Sequence, residues 1–301
     1  MSVNLLINRS NLLDRTNNSI YEYKFINGTY QIKEGDTMCI SSASIPYSIF
    51  NITSAYGNNT FSLSWVFGLV QQNFDIIIPN GFYSVDTLNQ YLELFMIQNG
   101  MYLIDNNASN VFYVKFLYNP TYYTVMMTFY EIPLSLPSGW TQPPNFIGYA
   151  TQPNKSPAIT ILNNAFQNFI GFSAGTYGGT GNLAINGNLT PQGATVNTLI
   201  IRCSIVNNPV SAISDVLDSF NIDVPFGTNI IYSPSFEKWV KLYPGRYSSM
   251  VVSIVDQDYN VIKFLNTCKT KGDWLIVGVH TDMFMELCRG GYKNDYEKTV
   301  E

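Results

Sequence analysis

Apolar residues recur at every second position along most of this 301-residue chain, and that period commits it to strands that are wet on one face. In residues 20–26, Tyr21, Tyr23 and Phe25 alternate with Glu22 and Lys24. Leu199, Ile201, Cys203 and Ile205 share one register, opposite Thr198, Arg202 and Ser204; Met250, Val252 and Ile254 repeat the pattern against Ser249 and Ser253. Residues 274–279 are different. Trp274, Leu275, Ile276, Val277 and Val279 are apolar in both registers, the mark of a strand covered on both faces. Turn chemistry separates the strands at Asn27-Gly28, Glu34-Gly35-Asp36, Asn58-Asn59, Pro244-Gly245 and Asp256-Gln257-Asp258.

One segment changes period. Ser84 is placed to cap a helix whose Val85, Leu88, Leu92 and Phe95 fall on one face, with Asp86 in the first turn and Asn99-Gly100 as the stop. Strand patterns at 61–65 and 74–78 precede it. Two more follow at 112–118 and 122–130, the latter pair turning at Asn119-Pro120. A proline-containing tract at 133–157 comes next, then a short helical turn carrying Phe166, Phe169 and Ile170, and a Gly- and Asn-rich tract at 171–193. A β-β-α-β-β block thus lies between two all-β stretches. The order predicts a mainly β fold: a sandwich built from both chain ends, residues 1–55 plus 190–290, with an insertion domain at 56–189 and a polar C-terminal tail at 291–301.

Composition narrows the chemistry. Only 12% of residues are charged and 15% are aromatic, and 16 Lys and Arg face 21 Asp and Glu, so no basic stripe is available for a phosphate backbone. A single histidine, His280, weakens every His-dependent mechanism and leaves no multi-His metal site. Cys39, Cys203, Cys268 and Cys288 are scattered, without a Cys-x-x-Cys pair, and are expected to be free thiols. Residues 1–18 lack the apolar core of a signal peptide, and no apolar stretch approaches the ~20 residues of a membrane span. The expectation is a chain made in the cytoplasm, without disulfides, membrane insertion, metal or cofactor.

Four motifs imitate active sites. Gly179-Thr180-Gly181-Asn182-Leu183-Ala184 fits a dinucleotide pattern but has no buried strand before it and no helix after it, so it is expected to be a surface loop. Asp256-Gln257-Asp258-Tyr259-Asn260 begins like a calcium loop, yet Val261 stands where the turn needs Gly and Thr267 where a bidentate Glu belongs; it reads as a hairpin turn. His280-Thr281-Asp282 has no nucleophile elbow to serve. Lys263, Lys269 and Lys271 read as a solvated turn. No catalytic residue is predicted.

The Ile45-Pro46-Tyr47-Ser48 element followed by Asn51-Ile52, and the Ile78-Pro79-Asn80-Gly81-Phe82-Tyr83-Ser84 run leading into Leu88-Asn89, resemble the N-terminal half of penton (minor capsid) proteins of virophages and polinton-like viruses. Phe169-Ile170-Gly171-Phe172, the strand and turn at 252–258 and Gly272-Asp273-Trp274 fit the same pattern. The resemblance implies a single jelly-roll β-sandwich carrying an inserted, β-rich α+β upper domain. It also implies homopentamers at the five-fold vertices of an icosahedral virion, surrounded by a double jelly-roll major capsid protein and assembled in the host cytoplasm. Low charge and abundant Tyr, Phe and Trp suit such a subunit, because interface cores are depleted in charge and enriched in aromatics.

Within residues 2–18, Leu5, Leu6, Leu12 and Leu13 are the candidate interface residues. The pairs are too short for a helix in water, so they are expected either to pack on their own jelly roll or to reach a neighbouring subunit as an extended arm. Two other function classes stay open at this stage. One is a carbohydrate-binding or receptor-attachment β-sandwich that stacks Tyr and Trp on sugar rings; the other is a hydrolase built on two carboxylates roughly 5–9.5 Å apart.

Overall fold

A computed structural model describes residues 3–14, 17–67, 70–262, 264 and 274–280. The chain forms two compact units: residues up to 49 together with those from 196 onward, and residues 50–195.

The first unit is a jelly roll. Its eight main strands, in chain order, are β1 (Val3–Asn8), β2 (Asn17–Lys24), β3 (Thr37–Pro46), β4 (Thr198–Cys203), β5 (Val216–Asn221), β6 (Asn229–Tyr232), β7 (Ser249–Val255) and β8 (Trp274–His280). They pair from the outside inward: β1 with β8, β2 with β7, β3 with β6 and β4 with β5, all antiparallel. A long hairpin paired in this way rolls into two sheets once β8 also pairs with β3 and β7 with β4. The first sheet runs β1-β8-β3-β6 and the second β5-β4-β7-β2. Alternation decides what meets between them. Leu5 and Ile7 of β1, Ile40 and Ile45 of β3, Leu199, Ile201 and Cys203 of β4, and Val252 and Ile254 of β7 are all buried. The 274–280 strand, apolar in both registers, is hydrogen-bonded on both sides, between β1 and β3.

Short additions close the end reached by the 25–36, 204–215 and 233–248 connections. Gly245–Tyr247 pairs with Tyr30–Ile32, Val240–Lys241 pairs with the start of β3, and Val206 bridges Leu242. The other end is where β3 gives way to the residues of the second unit and β4 resumes.

In the second unit, a sheet ordered Gly175–Gly178, Ala158–Ile161, Thr60–Phe67, Val70–Ile77 and a sheet ordered Val114–Asn119, Thr124–Phe129, Leu183–Asn186 share one core with a helix, α1 (Val85–Gln98). Ser84 caps α1 by accepting from the Thr87 amide, and the Thr87 hydroxyl reciprocates at the Ser84 amide at 2.8 Å. Leu88, Leu92 and Met96 are buried beneath it, while Val85 and Phe95 are half-buried. The helix stops where Gly100 takes φ +67°; a Cβ there would stand 1.9 Å from the Asn145 carbonyl oxygen. Asn89 ties the helix to the neighbouring sheet by accepting from the Phe116 amide at 2.9 Å. Phe61, Trp65, Phe116, Phe129 and Phe166 are fully buried in this core, with Phe61 stacked on Phe166 at 5.2 Å. The short helical turn is found as α2 (Phe166–Ile170).

The Gly- and Asn-rich tract contains more order than its composition suggests. Gly175–Gly178 and Leu183–Asn186 are strands of different sheets, and only residues 179–182, inside the G-x-G-x-x-A motif, link them. Gly178, at φ +87°, passes so close to the Phe129 ring that a Cβ would meet it at 2.6 Å.

Cys39 and Cys203 are buried free thiols; Cys268 and Cys288 lie outside the described residues. Burial pushes the Cys203 thiol up to about 11. Neither Cys39 nor Cys203 is therefore expected to react with iodoacetamide at pH 8 in the native protein, whereas both should react in urea. Peptide mass spectrometry of the alkylated chain checks this, and native labelling of Cys203 at the rate of a free thiol contradicts it.

Candidate assembly surface

The two walls of the jelly roll differ in charge. The second sheet has an ordinary wet exterior, with Glu22 and Lys24 on β2 and a bidentate Arg202–Asp215 pair at 2.8 and 2.9 Å. The four main strands of the first sheet contain no Asp, Glu, Lys or Arg at all. Register shows what its outer face presents. With Leu5, Ile7 and Ile230 turned inward and buried, Leu6 and Ile231 fall on the other face, 51% and 77% exposed. In register, Ser42 and Ser44 of β3 fall on the same face, Ser44 opposite Ile231 and itself buried.

A cavity of about 190 Å³ opens at the end closed by the three connections. Leu5, Tyr23, Phe25, Tyr30, Met38 and Leu242 line it, with Asn27 and Thr29 also in the wall and no charged residue among its described lining residues. Its aromatic side is built in series: Tyr23 meets Phe25 edge-on at 5.7 Å, and Phe25 stacks on Tyr30 at 5.3 Å. Ile26, also in the wall, is 92% exposed.

A second feature lies at the opposite edge of the sandwich, in the loop after β6. Phe236 is 86% exposed there, among the most exposed large apolar residues described. The loop is held by a buried acid. Asp218 of β5 accepts from the Tyr232 hydroxyl at 2.7 Å and from the Lys238 ammonium at 2.7 Å, so residues on both sides of Phe236 converge on one carboxylate. Tyr232 also stacks on Phe220 at 4.1 Å. Burial, and next the bond to Asp218, raise the Tyr232 phenol above its usual range.

Strand alternation divides the four candidate leucines. Leu5 is 7% exposed and belongs to the core of its own sandwich, Leu12 is half-buried, and Leu6 and Leu13 are 51% and 57% exposed. The segment is not a free arm. Residues 3–8 are β1, and Leu12–Asp14 pairs with β2.

The motifs that imitate active sites are placed as follows. Asp256 uses its carboxylate within its own turn, accepting from the amides of Asp258 and Asn260 at 2.9 and 2.8 Å. The 280–282 motif and the lysine patch lie mostly outside the described residues, with only the His280 backbone described, at the end of β8. Among the described residues no group of His, Cys, Asp and Glu is arranged to hold a metal ion, and no helix is long and apolar enough to cross a membrane. Sequence reasoning missed the cavity and the Phe236 loop. Exposed Phe236 carries no periodic signal, and the cavity wall is drawn from segments more than 200 residues apart.

No family model and no curated protein matches the sequence. Solved structures do match. The mavirus penton protein is similar over 93% of this chain and 98% of its own, at 10% identity and a TM-score of 0.44. A chain of the Sputnik virophage structure, determined by cryo-EM, is similar over 92% of this chain and 96% of its own, at 12% identity and a TM-score of 0.41.

Proposed function

We propose that this chain is a structural minor capsid (penton) protein, not an enzyme, that forms homopentamers at the five-fold vertices of an icosahedral virion and contacts a double jelly-roll major capsid protein. The observation that carries the reading is the asymmetry of the sandwich: one sheet has an ion-paired exterior, and the main strands of the other lack a single charged residue. A monomer gains nothing from leaving the four main strands of one wall uncharged, with Lys241 of the short added strand as that sheet's charged residue, whereas a subunit in a shell needs such a surface to meet its neighbours. The eight-stranded jelly roll and the sequence resemblance point the same way. Synthesis and assembly in the host cytoplasm follow from the same reading. Exposure of Leu6 and Leu13 supports a role for these two of the four leucines in meeting a neighbour.

The test is native mass spectrometry of the full chain across concentration, combined with cryo-EM of particles containing it. Five copies around each vertex are expected, with an assembly in isolation that is weak and grows with concentration. A stable dimer or trimer, and vertices without this chain, sink the proposal.

A second reading has one specific observation behind it. At the tip of the 114–129 hairpin, Tyr122 and Tyr123 are 69% and 60% exposed and Tyr118 is 45% exposed, beside an Asn119–Asn186 amide pair at 3.0 Å. Uncharged rings next to amides suit sugar stacking, so a glycan array distinguishes receptor attachment from a purely structural subunit. Saturable binding lost on Tyr122→Ala together with Tyr123→Ala supports attachment.

A further inference from the structure

We propose that Phe236 of one copy plugs into the Tyr23–Phe25–Tyr30 cavity of the next, making the head-to-tail contact of the ring; this rests on the homopentamer reading above. Closed rings of odd order need a heterologous interface, in which two different surfaces of the same chain meet. The jelly roll carries such a pair on its two edges. The cavity is lined by Leu5 of β1 and Tyr23 of β2, and β1 and β2 stand on the same side of the sandwich. Phe236 follows β6 and is pinned to β5, and these strands stand on the other side: in sheet order β6 is the far end from β1, and β5 the far end from β2. Along the sandwich, Phe236 lies between Tyr232, which pairs with Ala43, and Val240, which pairs with Met38 of the cavity wall. The cavity takes wall residues from the 25–36, 204–215 and 233–248 connections, and Phe236 is part of the last of these.

Size and chemistry match. A cavity of about 150 Å³ walled by apolar side chains stays dry and accepts a benzene ring; this one is about 190 Å³, uncharged among its described lining residues, and aromatic on one side. A phenyl group fits that volume, and edge or stacked contacts with Phe25 and Tyr30 are open to it. The clamp at Asp218 supplies the remaining requirement. An exposed aromatic makes a useful anchor only if its loop is already ordered, since ordering on contact would offset the gain. Here Tyr232 and Lys238 hold the loop from both sides, which also gives a buried carboxylate at a sheet edge its purpose.

The experiment uses the full chain with p-benzoylphenylalanine at position 236, and separately the Phe236→Ala and Asn27→Trp variants. Irradiation under assembling conditions should yield a cross-link between copies that maps to residues 23–38. Phe236→Ala should keep the wild-type melting temperature, because its ring is 86% exposed, yet weaken association about 30-fold or more. Asn27→Trp, which crowds the mouth of the cavity, should do the same. Mixing the two variants should give at most a pair, because one partner lacks the plug and the other the socket. In the Phe236→Ala protein the vacated socket should bind toluene, read as chemical-shift changes of the lining methyl groups.

Pentamers that form normally with Phe236→Ala, or a position-236 cross-link to any other surface, overturn this contact while leaving the pentamer reading intact. Saturable toluene binding with undiminished pentamer formation does so as well, since the cavity then serves a ligand. Failure of the wild-type chain to associate, in solution or in particles, removes the pentamer and the contact together.

Discussion

Deleting residues 2–13 is expected to unfold the jelly roll or lower its melting temperature by well over 10 °C. The deletion removes the whole of β1, with Leu5 7% and Ile7 1% exposed in the native sandwich. Burial of two such side chains stabilises by ~3–6 kcal/mol at ~1.5–3 kcal/mol each, against a total stability on the order of 5–15 kcal/mol for a domain. The loss is compounded at β8, which pairs with β1 over six residues and would become a bare edge. Thermal unfolding followed by near-UV circular dichroism checks the outcome. A truncated chain that melts like the full one would show that residues 2–13 act between subunits rather than within one, and would return all four leucines to the role of an arm. Leu6→Asp gives the complementary measurement. Because Leu6 is half exposed, it should leave the melting temperature within a few degrees and be felt only on assembly.

Phe61→Ala is the second large effect, expected to cost ~3–5 kcal/mol, the usual range for emptying a core aromatic site. Phe61 is fully buried, stacked on Phe166 at 5.2 Å with 7° between planes and edge-on to Phe116 at 5.8 Å, so its removal leaves a void bordered by rings that cannot collapse without leaving their rotamers. The effect should be local to residues 50–195. Hydrogen exchange should show protection lost at Thr60–Phe67, Ala158–Ile161 and α1, with β3, β4 and β7 retained. Equal loss of protection in both units would mean that they unfold as one cooperative body, and a cost below about 1 kcal/mol would mean that the site repacks.

The strands that could be read from the residues are those in which alternation runs long enough to speak for itself. Residues 20–26, 199–205 and 250–254 each carry three or four apolar side chains in one register, and each is found as a strand or continues one. The α1 helix was equally legible, because the Ser84 cap, the 3.6-residue period and the Asn99-Gly100 stop are all local chemistry. β1 was not. Val3, Leu5 and Ile7 share one register, but Leu6 interrupts the alternation and Asn4 and Asn8 are its only polar partners, and what makes the segment a strand is β8, some 270 residues away. Gly175–Gly178 and Leu183–Asn186 escaped for a related reason: Gly and Asn have little β-propensity, and these strands exist because Ala158–Ile161 and Thr124–Phe129 offer them backbone partners.

The sequence by itself therefore determined the β class, the helix of the second unit, the doubly apolar central strand and the low charge of the surface, all properties that residues express through their near neighbours. Tertiary structure alone decided which face each strand turned inward, and so that Leu5 is core while Leu6 is surface. It alone brought residues 5, 23–32, 38, 205 and 242 around one cavity. It also set Asp218 beneath the loop that displays Phe236. Such sites are assembled across long stretches of chain by strand pairing, and a pairing partner hundreds of residues away leaves no mark on the local pattern.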